Sequence, residues 1–303
     1  YHTELDPAAG GATTLNDDAA IVIGMNDFGK VGIYVAEGGL STELGFGIGA
    51  MGTGADFANT MTNIGRGYDV SVDPHIAYHT PAGLIPFGIT AKVAHAPSLT
   101  AGINDYKATG AANAVTHTSP GTGAGFWGSA AAPLTQTIAN MGDSATHYQV
   151  KIAEIPMLDG LTLGADYLDI SGQVNVGAQE AESGSYYATY AVGPVSLGYS
   201  KSYLATALKT HASTNFLESI EGTKMSAAVN VNDELSISYE QEKSEPTLKT
   251  SSTTMYDLES TGLQAAYTMG GMTLAIAMND HENVQYSNAK DVKDTVFSVA
   301  MAF

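Results

Sequence analysis

The stretch Asp294-Thr-Val-Phe-Ser-Val-Ala-Met-Ala-Phe303 decides the fold. In an extended strand Phe297, Val299, Met301 and Phe303 fall on one face, and Ser298, Ala300 and Ala302 on the other. A strand of this kind ending on an exposed aromatic invites edge-to-edge aggregation in water. In a closed barrel facing lipid the aromatic belongs to the interfacial girdle, and no free edge remains.

The same period of two recurs along the chain. It marks strands over 19–25, 30–35, 75–79, 87–95, 147–153, 161–169, 186–192, 195–203, 223–231, 235–242, 263–269, 272–279 and the final segment. In 30–35, for example, Val31, Ile33 and Val35 alternate with Lys30, Gly32 and Tyr34. In 87–95, Phe87, Ile89, Ala91 and Val93 are expected outward, with Thr90 and Lys92 inward. The pattern gives about 13 strands.

Connections alternate as regularly as the strands do. Short turns are expected at 26–29, 81–86, 156–160, 193–194, 232–233 and 270–271, where Asn-Asp and Gly-Gly pairs suit tight reversals. Between them lie long polar stretches at about 36–74, 97–146, 171–185, 204–222, 243–262 and 280–294. A β-sandwich or propeller has no reason to place every long loop at one end. A bacterial outer-membrane barrel does. The expected fold is all-β: one transmembrane antiparallel β-barrel, residues 1–303 forming a single domain.

Composition bounds the function. No apolar run approaches the roughly 20 residues a transmembrane helix needs, whereas barrel strands hide their apolar content by alternation. The formal net charge is −19 and arginine occurs once, as Arg66, so nucleic acid is excluded as a partner. Cysteine is absent, in keeping with an oxidising compartment. Tyr1-His-Thr-Glu-Leu-Asp6 has neither the basic nor the apolar region of an export signal, so a processed or incomplete chain is expected.

Parity assigns the charges. Lys30, Lys92, Lys151 and Lys224 fall on the polar side of their strands, which in a barrel is the lumen. Lysine facing lipid near the midplane would cost about 2–4 kcal/mol. These four lysines either set selectivity or merely solvate a wide aqueous interior. Lys201 falls on the apolar face, where its stem can snorkel. His75 and His79 share a face but lie about 13 Å apart at roughly 3.3 Å per residue, too far to share one metal ion. His211 and His281 are placed in loops. No nucleophile elbow, P-loop or zinc-ligand helix is present, so neither enzyme activity nor a cofactor is expected.

The segments Asn26-Asp-Phe-Gly-Lys-Val-Gly-Ile33 and Asp73-Pro-His-Ile-Ala-Tyr-His-Thr-Pro81, with the terminal Phe303, resemble the Gram-negative general porins. That resemblance implies a homotrimer of sixteen-stranded barrels in the outer membrane, in contact with lipid and lipopolysaccharide. It also implies passive diffusion of ions and small hydrophilic solutes. Counting back from Phe303 as the end of strand sixteen makes 30–35 strand five, with residues 1–6 the tail of strand three and the earlier strands upstream. Phe303 would then serve as the C-terminal assembly signal.

The long segment after strand five becomes loop 3, which in this family folds into the lumen. It carries Glu37, Glu43, Asp56, Asp69 and Asp73 against the single Arg66. These are either constriction residues or an acidic surface loop. The chain departs from the family at Ala77, where an arginine is frequent, which leaves open what faces loop 3. Taken with the net charge, the expectation is modest cation selectivity. The competing reading is a structural or surface-interaction barrel with a plugged lumen.

Overall fold

A computed structural model describes residues 2–4, 18–35, 74–81, 83–97, 115–116, 135–136, 144–153, 155–171, 180, 182–205, 217–248, 256–283, 288 and 291–301. The chain builds β1 (His2–Glu4), β2 (Asp18–Gly24), β3 (Lys30–Tyr34), β4 (His75–His79) and β5 (Ile89–Ala96). A separate two-stranded ladder joins β6 (Val115–Thr116) to β7 (Thr135–Gln136). Then come β8 (Ser144–Ile152), β9 (Leu161–Ser171), β10 (Glu182–Val192), β11 (Val195–Ala205) and β12 (Leu217–Asn230). The last four are β13 (Leu235–Leu248), β14 (Leu258–Met269), β15 (Met272–Glu282) and β16 (Val292–Met301).

Apart from β6 and β7, all strands lie in one 14-stranded antiparallel sheet in chain order. Each strand pairs with its sequence neighbours, the arrangement that short turns at one end favour. The ends of the order, β1 and β16, are not paired with each other among the described residues. Besides the thirteen strands legible from alternation, the sheet includes β1, which pairs His2 with Ala20 and Glu4 with Asp18.

The two faces are inverted relative to a water-soluble sheet. On β16 Phe297, Val299 and Met301 are 75%, 60% and 58% exposed. Ile23, Ile33, Val93, Tyr148, Leu263 and Leu274 are likewise exposed on the same face. The other face buries Ser185, Ser200, Ser238, Ser260, Asn279 and Glu240. A soluble protein hides its apolar residues and leaves charge in water. Here the polar face is the hidden one.

The apolar face has a boundary. On β15 the outward column runs Met272, Leu274, Ile276, Met278 and then Asp280 and Glu282. On β13 it runs Leu235, Ile237, Tyr239 and then Gln241, Lys243 and Glu245. Beyond the boundary Lys243 Nζ pairs with both Glu245 and Asp257 at 2.9 Å, and Lys293 pairs with Asp280. Lys201 lies on this outward face as parity requires and meets Glu221 at 3.6 Å.

Several strand ends differ from expectation. The long polar stretches are shorter than alternation indicated, because β12 already begins at Leu217, β13 runs to Leu248 and β14 starts at Leu258. Above the apolar boundary the outward face is charged and the inward face mixes polar residues with buried Leu204, Ile220 and Leu258, so the apolar-out period of two is lost from the sequence while backbone pairing continues. Phe87 is not in a strand. It sits in a 3₁₀ turn at Pro86–Gly88 with φ 64°, and β5 starts only at Ile89. His281 is not in a loop but buried in β15, its Nδ1 2.9 Å from Ser260 Oγ.

The ladder also climbs. A single cross-strand row runs Lys151, Gly164, Tyr187, Ser200, Lys224, Glu242, Ser260, His281. Lys151 is one residue from the short-turn end of β8 at Ile152, whereas His281 is nine from the short-turn end of β15 at Met272. The row therefore rises steadily away from the short turns.

Candidate functional site

The chemistry of this chain lies on the polar face. Its basic part is built at the short-turn end of β3, β4, β5 and β8. The turn before β3 forms on Asn26–Phe28, where Phe28 N–H donates to Met25 O at 3.1 Å and Gly29 N–H to Asn26 O at 3.2 Å. Gly29 then takes φ +86°, and a Cβ there would collide with the His79 carbonyl oxygen. Only glycine lets the start of β3 press this closely on the end of β4.

That close approach sets the next residues in register. Lys30 stands opposite His79, His79 opposite Lys92, and Lys92 opposite Gln149. Lys151 is opposite Thr90, two residues nearer the turns. Thr80 Oγ1 accepts the Ala91 N–H at 2.8 Å and ties β4 to β5. Together Lys30, His79, Thr80, Thr90, Lys92 and Lys151 line a cavity of about 490 Å³. No carboxylate lines it among the described residues.

Three of the four inward lysines expected from parity thus converge. The fourth does not. Lys224 lies on β12, where its Nζ is 2.7 Å from Glu240 Oε1 and its backbone is opposite Glu242. Glu240 and Glu242 are 1% and 6% exposed. Further along the face Asn279 Nδ2 donates to Asp294 Oδ2 at 2.9 Å, and His281 Nε2 lies 3.4 Å from Asp294 Oδ1.

Between these regions sits a buried group that sequence reasoning missed. Asp166 Oδ1 accepts both the Ser185 O–H at 2.6 Å and the Ser185 N–H at 3.0 Å, and Asp166 Oδ2 is 3.0 Å from His147 Nε2. The residue types are those of a hydrolase triad, but the order is wrong. In a triad the histidine bridges the acid and the serine and takes the serine proton. Here the aspartate occupies the middle and Ser185 donates to a carboxylate. The only sequence signal was parity: Asp166, His147 and Ser185 are each polar-face positions on consecutive strands.

On the described polar face the charges are unevenly spread, with Lys224 the base that stands among the acids. Lys30, Lys92 and Lys151 lie on β3 to β8, and Asp166, Glu240, Glu242 and Asp294 on β9 to β16. His75 and His79 share a face as expected, and the His75 ring stacks on Tyr34 at 4.7 Å. No group of three metal-ligating side chains forms among the described residues. The expected constriction residues Glu37, Glu43, Asp56, Arg66, Asp69 and Asp73, and the terminal Phe303, lie outside the described residues.

No family model matches the chain. No curated protein matches it either. Among solved structures, one described as a porin is similar to it with a TM-score of 0.48 and 13% sequence identity, over 92% of this chain and 79% of that one.

Proposed function

We propose that this chain is a channel-forming β-barrel of the bacterial outer membrane, passing ions and small hydrophilic solutes by passive diffusion. The observation that carries this reading is the inverted sheet, with apolar side chains out and serines and carboxylates hidden on the other face. In water, each large aliphatic or aromatic side chain left exposed forfeits about 1.5–3 kcal/mol relative to burial. Against lipid the same face is solvated, and the polar face surrounds an aqueous path.

The climb of the ladder supports closure of the sheet. From Lys151 to His281 the row rises eight residues over seven strand steps. At about 3.3 Å per residue and 4.8 Å per strand, that is a tilt of about 38°. Barrel closure needs roughly 35–45°. With the sequence resemblance to general porins, we read the complete protein as a sixteen-stranded single-domain barrel assembling as a homotrimer, with the segment after β3 as the lumenal loop. It has no enzymatic activity and no cofactor in this reading, and lipid and lipopolysaccharide contact its outer face.

Charge favours modest cation selectivity. The whole chain carries 31 acids against 12 bases, and a narrow path with low-dielectric walls focuses such a field. The test is a planar bilayer. Purified protein should insert with stepwise conductance, and its reversal potential in a KCl gradient should favour K⁺, more so at low salt. Inserted protein without conductance, together with liposomes that exclude small sugars, would overturn the channel in favour of a plugged structural barrel. An anion-selective potential at low salt would overturn the selectivity alone.

A further inference from the structure

We propose that His281 and Asp294, on the polar face of β15 and β16, form a binding site for a divalent transition-metal ion of the zinc type. The site is defined by geometry, and the channel reading decides only what the ion does to conduction. His281 Nε2 lies 3.4 Å from Asp294 Oδ1. Both atoms are buried, and neither makes a hydrogen bond. A ring N–H aimed at the carboxylate would close to about 2.7–2.9 Å. Two ligand atoms held about 2.0–2.1 Å from a tetrahedral ion are instead about 3.3–3.4 Å apart. The separation matches two atoms that share a metal.

Each ligand is held by a neighbour, as metal ligands are. His281 Nδ1 is 2.9 Å from the hydroxyl of Ser260, its cross-strand partner on β14. With the ring proton on Nδ1 and donated to that oxygen, Nε2 keeps its lone pair for the ion. Asn279 Nδ2 donates to Asp294 Oδ2 at 2.9 Å, which fixes the carboxylate and leaves Oδ1 turned to the histidine. Asn279 Oδ1 is a third buried acceptor without a hydrogen-bond partner. Buried acceptors ordinarily find a donor. Three left over in one cluster call for a cation.

The chemistry selects the ion class. One imidazole nitrogen beside carboxylate and amide oxygens suits first-row divalent ions rather than calcium or magnesium, which take oxygen ligands. The surroundings add attraction. Glu242 stands across Ser260 and Glu240 across Gly262, and Gly262 puts no side chain between Glu240 and Asn279. Lys224 offsets part of that charge. The site lies at the long-loop end of the wall, His281 one residue from the end of β15 and Asp294 two residues from the start of β16. A bound ion would staple the last two strands there. In the channel reading it would also put positive charge on the acidic part of the wall.

The test uses the full chain in detergent, stripped of metal by chelation, with Zn²⁺ as the probe. Calorimetric titration should show saturable binding that excess Ca²⁺ does not displace, and Co²⁺ in its place should give the visible absorption of a tetrahedral ion. His281→Gln and Asp294→Asn should abolish that binding. Ser260→Ala keeps both ligands and should weaken it about tenfold, so it decides the matter where His281→Gln fails to fold. His95→Gln, which removes an exposed histidine on β5, should change nothing. Zn²⁺ should raise the unfolding temperature of the wild type and leave that of Asp294→Asn where it was. In bilayers Zn²⁺ should lower K⁺ conductance in the wild type and not in Asp294→Asn. Zinc binding untouched by Asp294→Asn and Ser260→Ala would put the ion elsewhere and overturn the site. Wild-type protein that binds no zinc would also overturn it, leaving His281 and Asp294 as an ion pair and the channel standing. Binding with this residue dependence but no conductance would keep the site and overturn the channel.

Discussion

Lys224 reaches past Glu242, its direct cross-strand partner, to place its Nζ 2.7 Å from Glu240 Oε1 on the polar face. Glu240 is 1% exposed, so the pair replaces hydration that both groups have given up. Removing one partner of a buried pair strands the other charge, at a cost of about 3–5 kcal/mol. Lys224→Met should lower the temperature at which the folded form converts to the slower heat-denatured form on gels. The double change Lys224→Met, Glu240→Leu should recover most of that loss. In bilayers Lys224→Met should also raise the K⁺ to Cl⁻ permeability ratio, since it removes a positive charge from the acidic half of the face.

Neighbouring residues on β16 should respond oppositely to the same substitution. Phe297→Lys puts an ammonium on the apolar face and should cost about 2–4 kcal/mol at mid-depth. Ser298→Lys puts it on the polar face beside Ala275 and should be nearly neutral. Folding yield into phospholipid vesicles measures both. Equal losses would contradict the assignment of faces.

Gly29→Ala tests the turn that sets up the lysine row. The position has φ +86° and no room for a Cβ beside the His79 carbonyl. A non-glycine residue held in such a backbone region costs about 1–3 kcal/mol. The β3–β4 pairing should loosen, lowering thermal stability. Gly83→Ala has a similar φ of +82° but nothing near its Cβ, so it should cost the backbone strain alone and lower thermal stability less than Gly29→Ala.

Ser185 should stay unlabelled by a serine-directed fluorophosphonate probe. Its hydroxyl donates to Asp166 and not to His147, so the imidazole that takes the serine proton in a triad is not placed to do so. Asp166→Ala removes the acceptor for the Ser185 N–H and O–H and the partner of a fully buried His147. It should destabilise the fold by about 2 kcal/mol or more without creating a reactive serine. Labelling of the wild-type residue would point to a catalytic barrel.

The sequence by itself determined which residues form strands within the apolar band and which face each residue takes. Both are local properties: parity follows from the two-residue repeat of an extended chain, as Phe297 against Ser298 and Lys201 against Ser200 illustrate. Where lipid-type apolar residues ran out, that signal ran out too. Glu245, Glu259 and Glu282 carry no period, and His281 read as loop although it is buried in β15. Phe87 misled in the other direction, being apolar and in phase with β5 but held in a turn with positive φ. Only the tertiary structure decided which polar-face residues meet. Lys30, Lys92, Lys151 and Lys224 were equivalent by parity, yet register gathered the first three around one cavity and gave the fourth to Glu240. Register is a relation between strands far apart in the chain, set by turn geometry at residues such as Gly29 and by the cumulative climb of the ladder.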